Sequence, residues 1–181
     1  MPHLLSKHGR AGGDERDSEQ SIEEIGDGRL AQLVRELADA VVIADPDGVI
    51  VFWNEAATNL FGWSAHDARG RSLDLIIPER LRDRHWAGYR RVMETGHTDY
   101  GSRLLEVPAV HQDGRTISVA FTVTLLVRPG NRPDWIAAVL RDDTAGWQER
   151  RRTRERLSEL EAAALRAEQT PTGTPTSEHR D

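Results

Sequence analysis

The sequence predicts an α+β fold: a five-stranded antiparallel sheet with short helices packed on one face and a helix flanking each end. Three observations carry this expectation. Short apolar segments with strand character come first as a pair and later as a triplet, joined by turn-forming residues. Between pair and triplet lie several helical pieces, each closed by Gly or Pro. The chain of 181 residues suits one such domain with tails.

The elements follow in order. Residues 1–24 are rich in Gly, Asp, Glu and Ser and predict a disordered tail, as do residues 169–181. The domain is expected over 25–144, and a separate amphipathic helix over 145–168. Leu30, Leu33, Val34 and Leu37 stand at i, i+3, i+4 and i+7, the apolar stripe of a short helix. Ala40 to Ala44 and Val49 to Trp53 flank the turn Asp45-Pro46-Asp47-Gly48, where Pro presets φ and Gly tolerates the left-handed corner, so a β-hairpin is expected. Asn54 is placed to cap a helix over Glu55 to Phe61 that Gly62 closes. Ser64 and Asp67 have capping-box spacing. After Pro78 the longest central helix is expected from Glu79 to Glu94. Arg103 to His111, the strictly alternating Ile117 to Leu125, and Trp135 to Leu140 predict the last three strands.

Composition closes off several functions. There is no cysteine, which excludes disulfides, thiolate catalysis, zinc–thiolate sites and iron–sulfur clusters, along with photochemistry that attaches a chromophore to cysteine. A formal charge of −6 argues against nucleic acid as a partner; the run Glu149-Arg150-Arg151-Arg152-Thr153-Arg154 reads as a solvated helix face. No apolar run approaches the roughly 18 residues of a membrane span, and the N-terminus lacks a signal-peptide core, so a cytoplasmic location is expected. Catalysis is not expected. Asp45 and Asp47 are explained by their turn, Asp142 and Asp143 by a strand exit, and Ser64 with His66 by a helix cap. His3, His8, His111 and His179 show no metal-ligand spacing.

A set of blocks then resembles the PAS superfamily of sensor domains. They are Asp39-Ala40-Val41-Val42-Ile43-Ala44-Asp45, Gly48 with Ile50, Phe52-Trp53-Asn54-Glu55-Ala56-Ala57, Leu60-Phe61-Gly62-Trp63-Ser64, and Gly70 before Leu73. Asp113-Gly114, Ile117-Ser118-Val119 and Arg141-Asp142-Asp143-Thr144 follow in the same order. The resemblance implies a PAS fold with a ligand or cofactor between central helix and sheet. It also implies a signal that leaves through the helix after Asp143-Thr144. With no output domain following, a stand-alone module acting through a partner is expected.

On the central helix Leu81, His85, Tyr89 and Val92 share one stripe. An imidazole there serves either as a hydrogen-bonded core histidine or as a metal ligand. Pro78-Glu79-Arg80-Leu81-Arg82-Asp83-Arg84-His85 resembles the central helix of the haem-binding FixL-type oxygen sensors, and of the direct-oxygen-sensor phosphodiesterases. That resemblance implies haem as cofactor, His85 as proximal ligand to its iron, and Arg91 as a propionate contact. It implies Val119, Phe121, Val123, Ile136 and Ala138 as apolar walls, and Arg103 as a distal hydrogen-bond donor. Ungapped, Leu105 takes the distal place instead of Arg103, and His97 falls two positions from a propionate-contacting histidine. Tyr89 and Trp86 are bulky enough to occupy a porphyrin's space, so an empty or differently filled pocket stays open beside haem, as does flavin.

Two classes of function are therefore expected side by side. One is a haem-based sensor of oxygen, carbon monoxide or nitric oxide. The other is a haem-free interaction module that passes signals to a separate kinase or regulator. In both, Leu157, Leu160, Ala164 and Ala167 recur at 3-4-3 spacing, a seam for a coiled-coil homodimer; the N-terminal helix around Leu30 to Leu37 is the alternative interface.

Overall fold

The computed structural model describes residues 25–98, 103–127 and 133–168; the expected tails, 1–24 and 169–181, lie outside them. In chain order the elements are α1 (Asp27–Glu36), β1 (Ala40–Ala44), β2 (Ile50–Trp53), α2 (Glu55–Phe61) and α3 (Ala65–Ala68). Two 3-10 turns, Leu73–Leu75 and Glu79–Leu81, lead into α4 (Arg82–Thr95). Then come β3 (Leu105–Val110), β4 (Thr116–Val127), β5 (Pro133–Asp142) and α5 (Thr144–Glu168).

The five strands form one antiparallel sheet in the order β2-β1-β5-β4-β3. The first and last strands thus lie side by side at the centre, where Val42 pairs with Ala138, and Phe121 of β4 pairs with Leu140 of β5. Because side chains alternate along a strand, Val42, Ala44, Val119, Ala138 and Leu140 fall on one face. There they meet Phe61, Leu73, Ile76 and Tyr89 from the helical segment to make the core.

Two of the short helices are bounded by the caps their sequence supplies. Asn54 Oδ1 accepts from Ala57 N–H at 2.9 Å, capping α2, and Gly62 closes it with φ +83°. Ser64 caps α3 through Asp67 N–H. The expected helix from Glu79 is instead a 3-10 turn followed by α4 from Arg82. Pro78 precedes it without a side-chain cap, and tighter i→i+3 bonding is how an uncapped first turn satisfies its amides. Helix α5 begins one residue earlier than expected, where Asp142 Oδ1 accepts from Thr144 N–H at 2.8 Å.

The Asp45–Gly48 turn is fully accounted for by its own bonds. Asp45 Oδ1 accepts from Asp47 and Val49 N–H at 3.0 and 2.9 Å, and Gly48 sits at φ +78°. A Cβ on Gly48 would lie 2.2 Å from Trp86 Cη2, so this glycine is required twice, by conformation and by the tryptophan lying against it.

Candidate functional site

Helix α4 faces the sheet across an apolar cavity of about 140 Å³. Strands β4 and β5 supply Val119, Phe121, Val123, Ile136, Ala138 and Leu140; β1 supplies Val42 and Ala44; β3 supplies Val107, Pro108 and Ala109. Phe61, Leu73, Ile76 and Ile77 close the side opposite the strands, and His85 and Tyr89 project from α4. Those two are the only polar side chains in the lining among the described residues.

They are in different states. The Tyr89 hydroxyl donates to the Asp45 carbonyl in the β1–β2 turn, and burial, helped by the Asp45 and Asp47 charges, holds the phenol neutral by pushing its pKa up. His85 Nε2, by contrast, is buried with no hydrogen-bond partner among the described residues. Burial lowers the His85 pKa; the Asp74 carboxylate opposes this less strongly. The imidazole is therefore a neutral nitrogen base facing an apolar space. A buried polar atom left unpaired costs free energy, and such exceptions in native proteins call for a reason.

The ring is held by its neighbours. Trp86 meets it edge-on, with centroids 5.1 Å apart and planes at 80°, and Tyr89 lies 5.8 Å away on the next turn. Trp86 in turn is fixed by Nε1–H donating to Asp74 Oδ1 at 2.8 Å and by its contact with Gly48. Arg82 Nη2 donates to the Asp74 carbonyl at 3.0 Å and Nε to that of Ile77 at 3.3 Å. The segment before α4 is thereby tied to the helix that carries His85.

Seven of the nine residues singled out from sequence, His85, Tyr89, Val119, Phe121, Val123, Ile136 and Ala138, line this one cavity. Arg91 and Arg103 do not. Six residues beyond His85 an α-helix has turned about 120° away, and Arg91 is exposed. Arg103, just before β3, is exposed too, as is His97. Leu105 is half-buried opposite Phe121 but outside the lining. Trp86 is also outside it, packed against the β1–β2 turn. Sequence reasoning missed the β3 and β1 walls and the brace from Asp74. The two-residue spacing of Val42 with Ala44, and of Val107 with Ala109, was the signal for the walls; nothing in the sequence pairs Asp74 with Trp86.

The exit from the sheet is equally well defined. Ser118 N–H donates to Thr144 Oγ1 at 3.1 Å, and Asp143 N–H donates to the Ser118 carbonyl at 2.8 Å. Arg141, at the end of β5, pairs with Asp39 before β1 through two bonds of 2.6 and 2.7 Å. Asn54 links the same region: Oδ1 also accepts from Val41 N–H at 2.9 Å, and Nδ2 donates to the Asp39 carbonyl at 3.0 Å. The start of the sheet, the end of the sheet and the first turn of α5 are one hydrogen-bonded junction. No helix among the described residues is long and apolar enough to cross a membrane, and among them no three His, Asp or Glu cluster as metal ligands.

Comparison with known proteins agrees with this architecture. Sensor protein FixL of Bradyrhizobium diazoefficiens is 28% identical over 131 residues, covering 72% of this chain and 26% of FixL. Oxygen sensor protein DosP of Escherichia coli is 27% identical over 123 residues, covering 68% of this chain and 15% of DosP. The chain thus spans about a quarter or less of the length of these relatives. A crystal structure of a PAS domain from Colwellia psychrerythraea superposes with a TM-score of 0.58 at 19% identity, covering 65% of this chain and 97% of that domain. The family described as PAS fold matches residues 28–142, more than half of the chain. This chain belongs to the PAS family.

Proposed function

We propose that this PAS module is a haem-based gas sensor in which His85 Nε2 would hold the iron. The observation that carries the reading is the unpaired Nε2 of a neutral imidazole, buried at an apolar cavity between α4 and the sheet. Neutral imidazole is the form that binds haem iron, and a porphyrin requires apolar walls. The donor and the walls fit. The volume, about 140 Å³, is below the roughly 300–1,000 Å³ of ligand sites, so loading requires the walls to part. The likeness to an oxygen sensor protein supports the reading. When bound, haem supplies iron with a further position for a diatomic gas. The chain's own contribution is to hold the imidazole neutral and oriented through Trp86 and Tyr89, and to keep water from the pocket with Val119, Phe121, Val123, Ile136 and Ala138.

Titrating the purified protein with hemin tests this. Wild type should develop a stoichiometric Soret band that His85→Ala loses while keeping its fold by circular dichroism. Arg91→Ala and Arg103→Ala, at residues outside the lining, should keep the stoichiometry. A wild-type Soret band that His85→Ala leaves unchanged refutes the assignment.

A second reading, a haem-free interaction module, is favoured by α5. Leu157, Leu160 and Leu165 are 54, 67 and 58% exposed on the part of α5 that follows its ion pair to the sheet at Arg150. In either reading the chain works without catalysing a reaction, in the cytoplasm, as a homodimer joined through α5, and signals to a separate kinase or regulator. The Asp45 and Asp142 carboxylates, already engaged by backbone amides of their turns, support a role without catalysis. Truncation after Thr144 should shift sedimentation from dimer to monomer; a dimer that persists moves the interface to α1.

A further inference from the structure

Neighbouring residues on an α-helix stand about 100° apart and do not face each other. Trp86 nevertheless turns back so that the His85 ring beside it is met edge-on. Two groups outside α4 hold the indole in that position. Gly48 leaves space for the six-membered ring that lies against it, and Asp74, twelve residues earlier, accepts from Nε1–H at 2.8 Å. Asp74 is itself fixed in its 3-10 turn. Its N–H donates to Ser72 Oγ at 3.1 Å, its carbonyl accepts from Arg82 Nη2, and Oδ1 lies 3.6 Å from Arg82 Nε. No hydrogen bond joins Asp74 to His85 directly among the described residues. An anchored carboxylate stops the indole, and the indole stops the imidazole.

We infer that Asp74 is a positioning residue for His85 and acts through Trp86. A histidine that holds a metal is usually oriented by a carboxylate or carbonyl on its other ring nitrogen. Here a carboxylate reaches the ring by way of an interposed indole, so the direction in which Nε2 looks into the cavity follows the Asp74–Trp86 bond. The inference rests on the proposed function for the iron that Nε2 would hold; the orientation of the ring belongs to the ligand-free chain. The link carries position rather than charge. An uncharged acceptor at residue 74 should therefore serve as well, and an apolar one should not.

Two measurements on the full chain test this. In the hemin-free protein, proton NMR reads the His85 ring protons, which the Trp86 ring current displaces while the two rings are locked together. Asp74→Ala should move these resonances toward those of a free histidine, and Asp74→Asn, which keeps the acceptor, should leave them near wild type. In hemin titrations followed at the Soret band, Asp74→Ala and Trp86→Phe should each weaken binding about 10- to 100-fold. The double variant should bind no more weakly than the worse single one, because both changes break one link. Asp74→Asn should stay within about two-fold of wild type. If Asp74→Ala leaves either the ring-proton shifts or hemin binding as in wild type, Asp74 does not position the ring and the inference is overturned. Asp74→Asn as weak as Asp74→Ala, or losses that add in the double variant, would overturn it too. If wild type forms no Soret band, the haem reading fails, and the hemin-free ring-proton shifts still decide the positioning.

Discussion

Replacing His85 with leucine separates a ligand-binding histidine from a structural one, because the two roles predict opposite signs for the ligand-free protein. A buried polar atom without a partner costs about 1–3 kcal/mol, and Nε2 is such an atom. Leucine removes that cost, fills apolar space in the cavity, and has a slightly better helix propensity. Against this stands the lost edge contact with Trp86, worth about 0.5–1.5 kcal/mol for an aromatic pair. The balance is a ligand-free variant more stable by about 1 kcal/mol, a rise in Tm of about 4 °C for a domain of this size. The advantage should grow in acid. Burial sets the folded-state pKa of His85 below its ordinary 6.5, so the unfolded chain takes the proton more readily. Wild type therefore loses stability as pH falls from 6.5 toward the lowered value, and this contribution is absent above 6.5, where both states are neutral. The leucine variant has no such loss. Urea denaturation of both proteins at about pH 8 and about pH 5.5 measures the difference. A leucine variant less stable than wild type by 1 kcal/mol or so, with no pH-dependent gap, would show that His85 holds the core together, and the ligand argument would fall.

Two further outcomes check the scaffold. Asn54→Ala should cost about 2–4 kcal/mol by chemical denaturation, since it removes the cap of α2 and leaves Val41 N–H without its side-chain acceptor; a loss under about 0.5 kcal/mol would show that the junction does not depend on it. Gly48→Ala should cost about 1–3 kcal/mol and alter tryptophan fluorescence, because the new methyl meets the Trp86 ring at a left-handed corner; unchanged emission would mean the ring does not rest on that turn.

How much of this was legible in the sequence follows from the range of the interactions involved. The β1–β2 turn, the caps at Asn54 and Ser64 and the alternation along β4 depend on neighbours a few residues away, so residue type and spacing specify them. The stripe Leu81, His85, Tyr89 and Val92 is likewise local, and it placed His85 and Tyr89 on the cavity side correctly. Family resemblance carried the far wall. What stayed hidden needs two distant segments at once. Asp74 reaches Trp86 across a 3-10 turn whose geometry no periodicity encodes. Arg150 meets Glu106 over 44 positions, and in the sequence it is one arginine in a run of them. Asn54 was readable as a cap, but its bonds to Val41 and Asp39 exist only once β1 lies beside the end of β2. Arg91 lies outside the lining and exposed, about 120° round the helix from His85, so the propionate contact that the resemblance implies for it is not a matter of the apolar stripe.

The small cavity is an asset to a sensor. A pocket already wide enough for its ligand would bind without moving its walls, and a ligand with equal affinity for two states shifts neither. Here an occupant larger than about 140 Å³ must displace α4 or β3, and its affinity is reduced by the cost of that opening. On one side α4 is braced through Trp86 and Tyr89 to the β1–β2 turn. On the other, β3 is joined to α5 by an exposed ion pair. The exposed pair, worth about 1 kcal/mol or less, is the weaker of the two attachments, so the β3 side is where the walls should give first when an occupant enters.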